Sequence, residues 1–186
     1  MRMSPIGGFD GDDVELYVEP FLGWRGWKWD AQRKRLLSLN GIPWTPGEEL
    51  HAECTAGGGH PAPHIQCNCG IFSMKAPHWI DRHVHTDQRE VVVGAIKIWG
   101  NIVGGKAGWR AEYAMIDSLY VPCSDAELEE SDLMRFMYDI EGIKTPSYLR
   151  STMAKEIEQE YGVPVFNHDP RDTVTVPEGW EEDLPF

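Results

Sequence analysis

Glu90-Val-Val-Val-Gly-Ala-Ile-Lys-Ile-Trp99-Gly100-Asn-Ile-Val103 is the strongest β signal in the chain. It is rich in β-branched residues, which suit a pleated, half-buried surface. Gly94 and Gly100 inside it predict bulges or sharp coiling. Gly104-Gly-Lys-Ala-Gly108 follows as a hairpin turn. It lacks both the G-x4-G-K-[ST] spacing and the following helix of a phosphate loop. Trp109-Arg-Ala-Glu-Tyr-Ala-Met-Ile116 then returns antiparallel, and Ser118 to Pro122 ends the β-rich body.

Upstream, Val14 to Phe21 alternates polar and apolar residues, as a strand does. Pro20 predicts an edge or an end there. Trp27 and Trp29 flank Lys28, so one face of the next strand carries both indoles. Residues 31–35 form a basic turn, and Leu36 to Leu39 complete a hairpin. Asn40-Gly41 marks another turn. Residues 48–54 and 70–75 read as strands, and 77–88 as a polar segment with a short helix. Downstream, the capping box Ser124-Asp-Ala-Glu127 opens a helix to about Ile140. Pro146 opens a second, which Gly162 stops near Tyr161. Val163 to Phe166 is a last short strand. The expected fold is α+β: a coiled antiparallel sheet or small β-barrel over 14–122, with two C-terminal helices. A single domain spans 14–166, between a disordered 1–13 and an acidic, extended 167–186.

Between the strands at 48–54 and 70–75 lies Cys54-Thr-Ala-Gly-Gly-Gly-His60-Pro-Ala-Pro-His64-Ile-Gln-Cys67-Asn-Cys69. Three of the four cysteines and two of the seven histidines fall here, spaced by glycine and proline. Cys54, Cys67 and Cys69 with His60 or His64 make a sulfur–nitrogen set of the kind zinc favours. An ion there would order a stretch that glycine leaves floppy. The C-x-C spacing departs from the familiar C-x2-C knuckle, and the competing reading is three reduced core cysteines with solvated histidines. An open metal position near His83 or His85 would allow hydrolysis, but no HExxH motif accompanies it. Cys123, alone at a predicted helix start, reads as a packing cysteine.

The net charge of −13 is uneven. Residues 1–20 carry net −4, residues 21–112 net +3 and residues 113–186 net −12. Acid in this excess opposes nonspecific DNA binding. No run of about 18 apolar residues predicts a membrane span, and residues 1–10 show no signal-peptide core. The expectation is a cytoplasmic protein with reduced thiols.

Gly23-Trp24-Arg25-Gly26-Trp27 and Gly108-Trp109-Arg110-Ala111-Glu112-Tyr113 echo one another. Arginine beside tryptophan can stack on a base or clamp a phosphate. Trp24, Arg25, Trp109, Arg110, Glu112 and Tyr113 are therefore candidate binding residues. The competing reading puts the indoles in the core.

These motifs occur in order with Trp44-Thr-Pro46-Gly47, Ala52-Glu-Cys54, Cys67-Asn-Cys69-Gly70-Ile71-Phe72, Gly108 to Ala114 and Tyr161-Gly-Val-Pro-Val165. Together they resemble a group of uncharacterised proteins of actinobacteria and their phages, over roughly residues 20–166. The resemblance brings no catalytic residues. It implies a phage or accessory origin, and binding to a host protein. A fainter likeness is to the ADP-ribosyltransferases, small β-rich folds that use NAD. It would cast Arg25, Ser73 and Glu112 as site residues.

The leading expectation is a non-enzymatic binding protein. Its Cys/His loop is stapled by zinc, and its Trp/Arg face contacts a host protein or a nucleotide-like ligand. The alternatives are an NAD-using enzyme and an acidic nucleic-acid mimic acting through 124–160 and the tail.

Overall fold

Two long β-rich runs joined by a glycine turn form the centre of the sheet, as their composition demands. A computed structural model describes residues 14–57, 59–80, 91–121, 146–167 and 170. In chain order the strands are β1 (Val14–Asp30), β2 (Arg35–Ser38), β3 (Pro43–Trp44), β4 (Leu50–His51), β5 (Ile71–Met74), β6 (Val91–Gly104), β7 (Gly108–Tyr120) and β8 (Val165–Phe166). One α-helix, α1 (Pro146–Tyr161), is found among the described residues, together with a single 3-10 turn at Pro77–Trp79 in the segment where a short helix is expected. The other expected helix, at 124–140, lies outside them, as do 1–13, His83, His85, Cys123 and 171–186.

The turn between β6 and β7 closes with Gly105 N–H on the Gly108 carbonyl at 2.8 Å. The two strands then pair antiparallel from Gly104↔Trp109 to Val93↔Tyr120. β1 runs antiparallel along the other edge of β6 and passes straight through Pro20. Its register shifts between Tyr17 and Phe21. Proline has no N–H to give a ladder, and the irregularity is where none is needed.

β5 pairs with β7 over four residues and touches β1 at the single pair Trp24↔Met74. Strands β1, β6, β7 and β5 thus close a ring within one eight-stranded sheet. The ring is not a barrel, so that part of the expectation is corrected. A four-residue strand joined by one registered pair is too short to wrap an interior. β2 and β3 extend the sheet beyond β1, while β4 and β8 add to the edge of β7.

The core lies along β6 and β7, whose pairing register shifts at Ala95/Ile96 and Trp99/Ile102. Ile96, Ile98 and Ile102 of β6 pack with Ala111, Ala114, Ile116 and Leu119 of β7. Trp27 meets Trp44 edge-on, with centroids 5.3 Å apart. Trp29 packs on the same cluster, so both indoles do share a face. α1 docks through Ile157 and Tyr161. The Tyr161 hydroxyl donates to the Trp44 carbonyl and accepts from Leu36 N–H, both at 2.7 Å. An Arg35–Glu160 ion pair lies at the rim of this contact.

Candidate metal centre

The Cys/His loop leaves the sheet after β4 and re-enters it at β5, and both strands lie on one edge of β7. His51 pairs with Tyr113, and Ile71 with Ala111. Ala52 N–H also bonds the Glu112 carbonyl at 2.8 Å. Two residues of strand separate the ends by about 7 Å, so residues 52–70 form a nearly closed excursion. The loop returns onto the core through Ala62, and Cys54 and Cys69 pack against the same cluster. Gly70 makes the return possible. It has φ +117°, and a Cβ there would stand 3.0 Å from both the Arg110 and Pro63 Cβ atoms.

This path brings ligand atoms of Cys54, His60, Cys67 and Cys69 within 4.8 Å of one another. The Cys54 and Cys67 sulfurs are 3.8 Å apart, and Cys54 Sγ lies 3.5 Å from His60 Nε2. Zinc–sulfur bonds of about 2.3 Å and zinc–nitrogen bonds of about 2.0–2.1 Å give tetrahedral edges of about 3.8 Å and 3.5 Å. These two spacings match those edges, within a group whose ligand atoms all lie within 4.8 Å of one another. A disulfide would need about 2.05 Å, so Cys54, Cys67 and Cys69 form none, and all three are half-buried. Sulfur and imidazole are also the wrong donors for calcium or magnesium, which take oxygen.

The two histidines left open by the sequence now separate. His60 Nδ1 lies 3.0 Å from the Pro61 carbonyl. A proton held on Nδ1 by that carbonyl leaves the Nε2 lone pair facing the Cys54 sulfur. Cys69 Sγ sits 3.9 Å from Nδ1, along the same ring. His64 is outside the four-residue group. It stacks on His60, and its Nδ1 accepts from Gln66 N–H at 3.2 Å. Burial, then the Cys67 side chain, pushes the Cys69 thiol up to about 11.

Arg110, on β7, lies under the loop and is 2 % exposed. Its guanidinium donates to the carbonyls of His64 at 3.1 Å, Cys69 at 3.2 Å, and Cys67. Burying a charge is costly unless it is hydrogen-bonded. All three carbonyls share the two hydrogens of one nitrogen, Nη1, and hydrogen bonds from a charged donor contribute about 1.5–3 kcal/mol each, so they offset part of that cost. The sequence reading gave Arg110 to a ligand; in the fold it holds the loop.

Arg25 also turns inward. It donates to the Phe72 carbonyl and to Ser38 Oγ at 3.0 Å, with its guanidinium carbon 5.2 Å from the Trp44 ring centroid. Burial lowers it to about 10, still charged at neutral pH. Ser73 is buried, with its side chain close under Gly23. Glu112 Oε2 accepts from Asn101 N–H at 3.0 Å and from its side-chain amide at 2.8 Å. That pair fixes the bulge made by Gly100, which has φ +81° and no room for a Cβ beside Tyr113. Arg25 and Glu112 are therefore both engaged in holding strands.

Trp24 packs on Tyr120, and Trp109 on Phe21 with Lys75 Nζ 5.6 Å from its ring. Tyr113 stacks between His51 and Trp99, each at an interplanar angle of 15°. These three rings are neighbours across β4, β7 and β6. Sequence reasoning missed His51 and Trp99, because the pairing register that aligns them is not written in either strand alone.

Comparison with protein-family models, with characterised proteins and with solved structures gives no match for this chain. No helix among the described residues is long and apolar enough to cross a membrane.

Proposed function

We propose that this protein is a non-enzymatic binding module whose recognition loop is held in shape by one zinc ion. Cys54, His60, Cys67 and Cys69 supply the ligands. The carrying observation is the convergence of four soft donor atoms within 4.8 Å on a loop rich in glycine and proline. Four protein ligands fill a tetrahedron, the pattern of a structural rather than a catalytic zinc site. Zinc here closes the loop and releases the protons of the thiols it binds.

The binding surface in this reading combines the zinc-held loop with the aromatic ladder His51–Tyr113–Trp99 at its base. Tyr113 and Trp109 carry the aromatic part of the Trp/Arg face, while Arg25 and Arg110 serve beneath it. The partner is a host protein or a nucleotide-like ligand, in keeping with the resemblance to phage proteins. The inward bonding of Arg25 and Glu112 gives no support to the NAD-enzyme reading.

Elemental analysis of protein purified without added metal tests the proposal. About one zinc per chain, with melting lowered by a chelator, is the expected result. Less than about 0.2 equivalents, even after zinc is added, contradicts it.

A further inference from the structure

We propose that Arg110 is the built-in counter-cation of the metal centre and sets its affinity through charge; this rests on the zinc reading above. Three thiolates and one neutral imidazole around a divalent ion leave the centre at net −1. The centre is half-buried and packed on the core. A net charge in such a place is unfavourable without a nearby opposite charge.

Arg110 is placed to supply it. Its guanidinium bonds the carbonyls of Cys67 and Cys69, two of the four ligand residues, and that of His64 between the ligands. The positive charge therefore sits directly behind the ligand backbone. Its position is fixed from the sheet. The Arg110 backbone is in register with Phe72 of β5 on one side and Val103 of β6 on the other. Gly70 lies close above it, where an added Cβ would stand 3.0 Å from the Arg110 Cβ. Groups that orient or polarise metal ligands typically change affinity by about 10–100-fold when removed.

A purely structural role predicts something different. It makes zinc affinity follow overall stability, whichever residue lowers that stability. The test measures zinc affinity by competition with a chromophoric chelator on wild type, R110Q, R110K and Y161F. Y161F weakens the helix contact and leaves the loop untouched. Melting curves rank the stability of all four, and the sulfur-to-cobalt charge-transfer band of the cobalt forms reports the ligand set.

The expected result is a loss of about 10–100-fold for R110Q with the sulfur ligand set intact. R110K should stay within about threefold of wild type, and Y161F should be unchanged. Equal affinities for R110Q and wild type overturn the proposal, as does an R110K loss as large as that of R110Q. If R110Q does not fold, R110K alone decides: a loss of tenfold or more overturns the role of charge. Wild type that takes up no zinc overturns both this proposal and the zinc reading, whereas normal wild-type binding with an unaffected R110Q overturns this one only.

Discussion

His60 and His64 stack with ring centroids 4.3 Å apart, yet only His60 belongs to the group of donors that converge with the cysteines. The pair makes a sharp test of the ligand set. His60→Ala should lower zinc affinity by more than the roughly 10–100-fold seen when a residue merely touching a ligand is lost. His64→Ala should keep one zinc per chain with an affinity within about tenfold of wild type. Chelator competition measures both. Equal losses would mean that the two rings share the metal.

One hydroxyl ties the helix to the sheet beside the packing of Ile157. Tyr161 is nearly buried and bridges Leu36 N–H and the Trp44 carbonyl. Tyr161→Phe keeps the ring and strands both backbone groups, so stability should fall by about 1–3 kcal/mol. Urea unfolding should show a lower midpoint with an unchanged slope. No change in midpoint would mean that the helix is held elsewhere.

Gly70 is the hinge by which the loop re-enters the sheet. Gly70→Ala meets both a left-handed φ and Cβ contacts at 3.0 Å. Backbone strain of this kind costs about 1–3 kcal/mol. The variant should melt lower, and its zinc affinity should fall because Arg110 and Pro63 must give way. Thermal unfolding with and without zinc measures the two effects separately.

Glu112 separates the structural from the enzymatic reading of its carboxylate. Glu112→Ala leaves Asn101 without its acceptor. Stability should drop by about 1–3 kcal/mol, with zinc content unchanged. An NAD-turnover assay on wild type and variant should read zero for both. Turnover in wild type that the variant loses would restore the enzyme reading.

Much of the fold is legible in the sequence because it rests on local rules. The β-branched run at β6, the glycine turn and the returning β7 stand where expected. Pro146 and Gly162 bracket the helix as their caps predict. The ring closure is not legible, since it depends on β5 meeting β1 at Trp24 and Met74 across an excursion of many residues. The cysteines could be picked out by composition, but the choice of His60 over His64 depends on where the loop turns. The inward bonding of Arg25 and Arg110 is not legible for a physical reason. Their neighbours in sequence are tryptophans, while their hydrogen-bond partners are carbonyls on other segments.

Zinc K-edge absorption on the purified protein reads the ligand set itself. Three sulfur scatterers at about 2.3 Å and one nitrogen at about 2.0 Å are expected. A shell of oxygen and nitrogen alone, or fewer than two sulfurs, would contradict that ligand set.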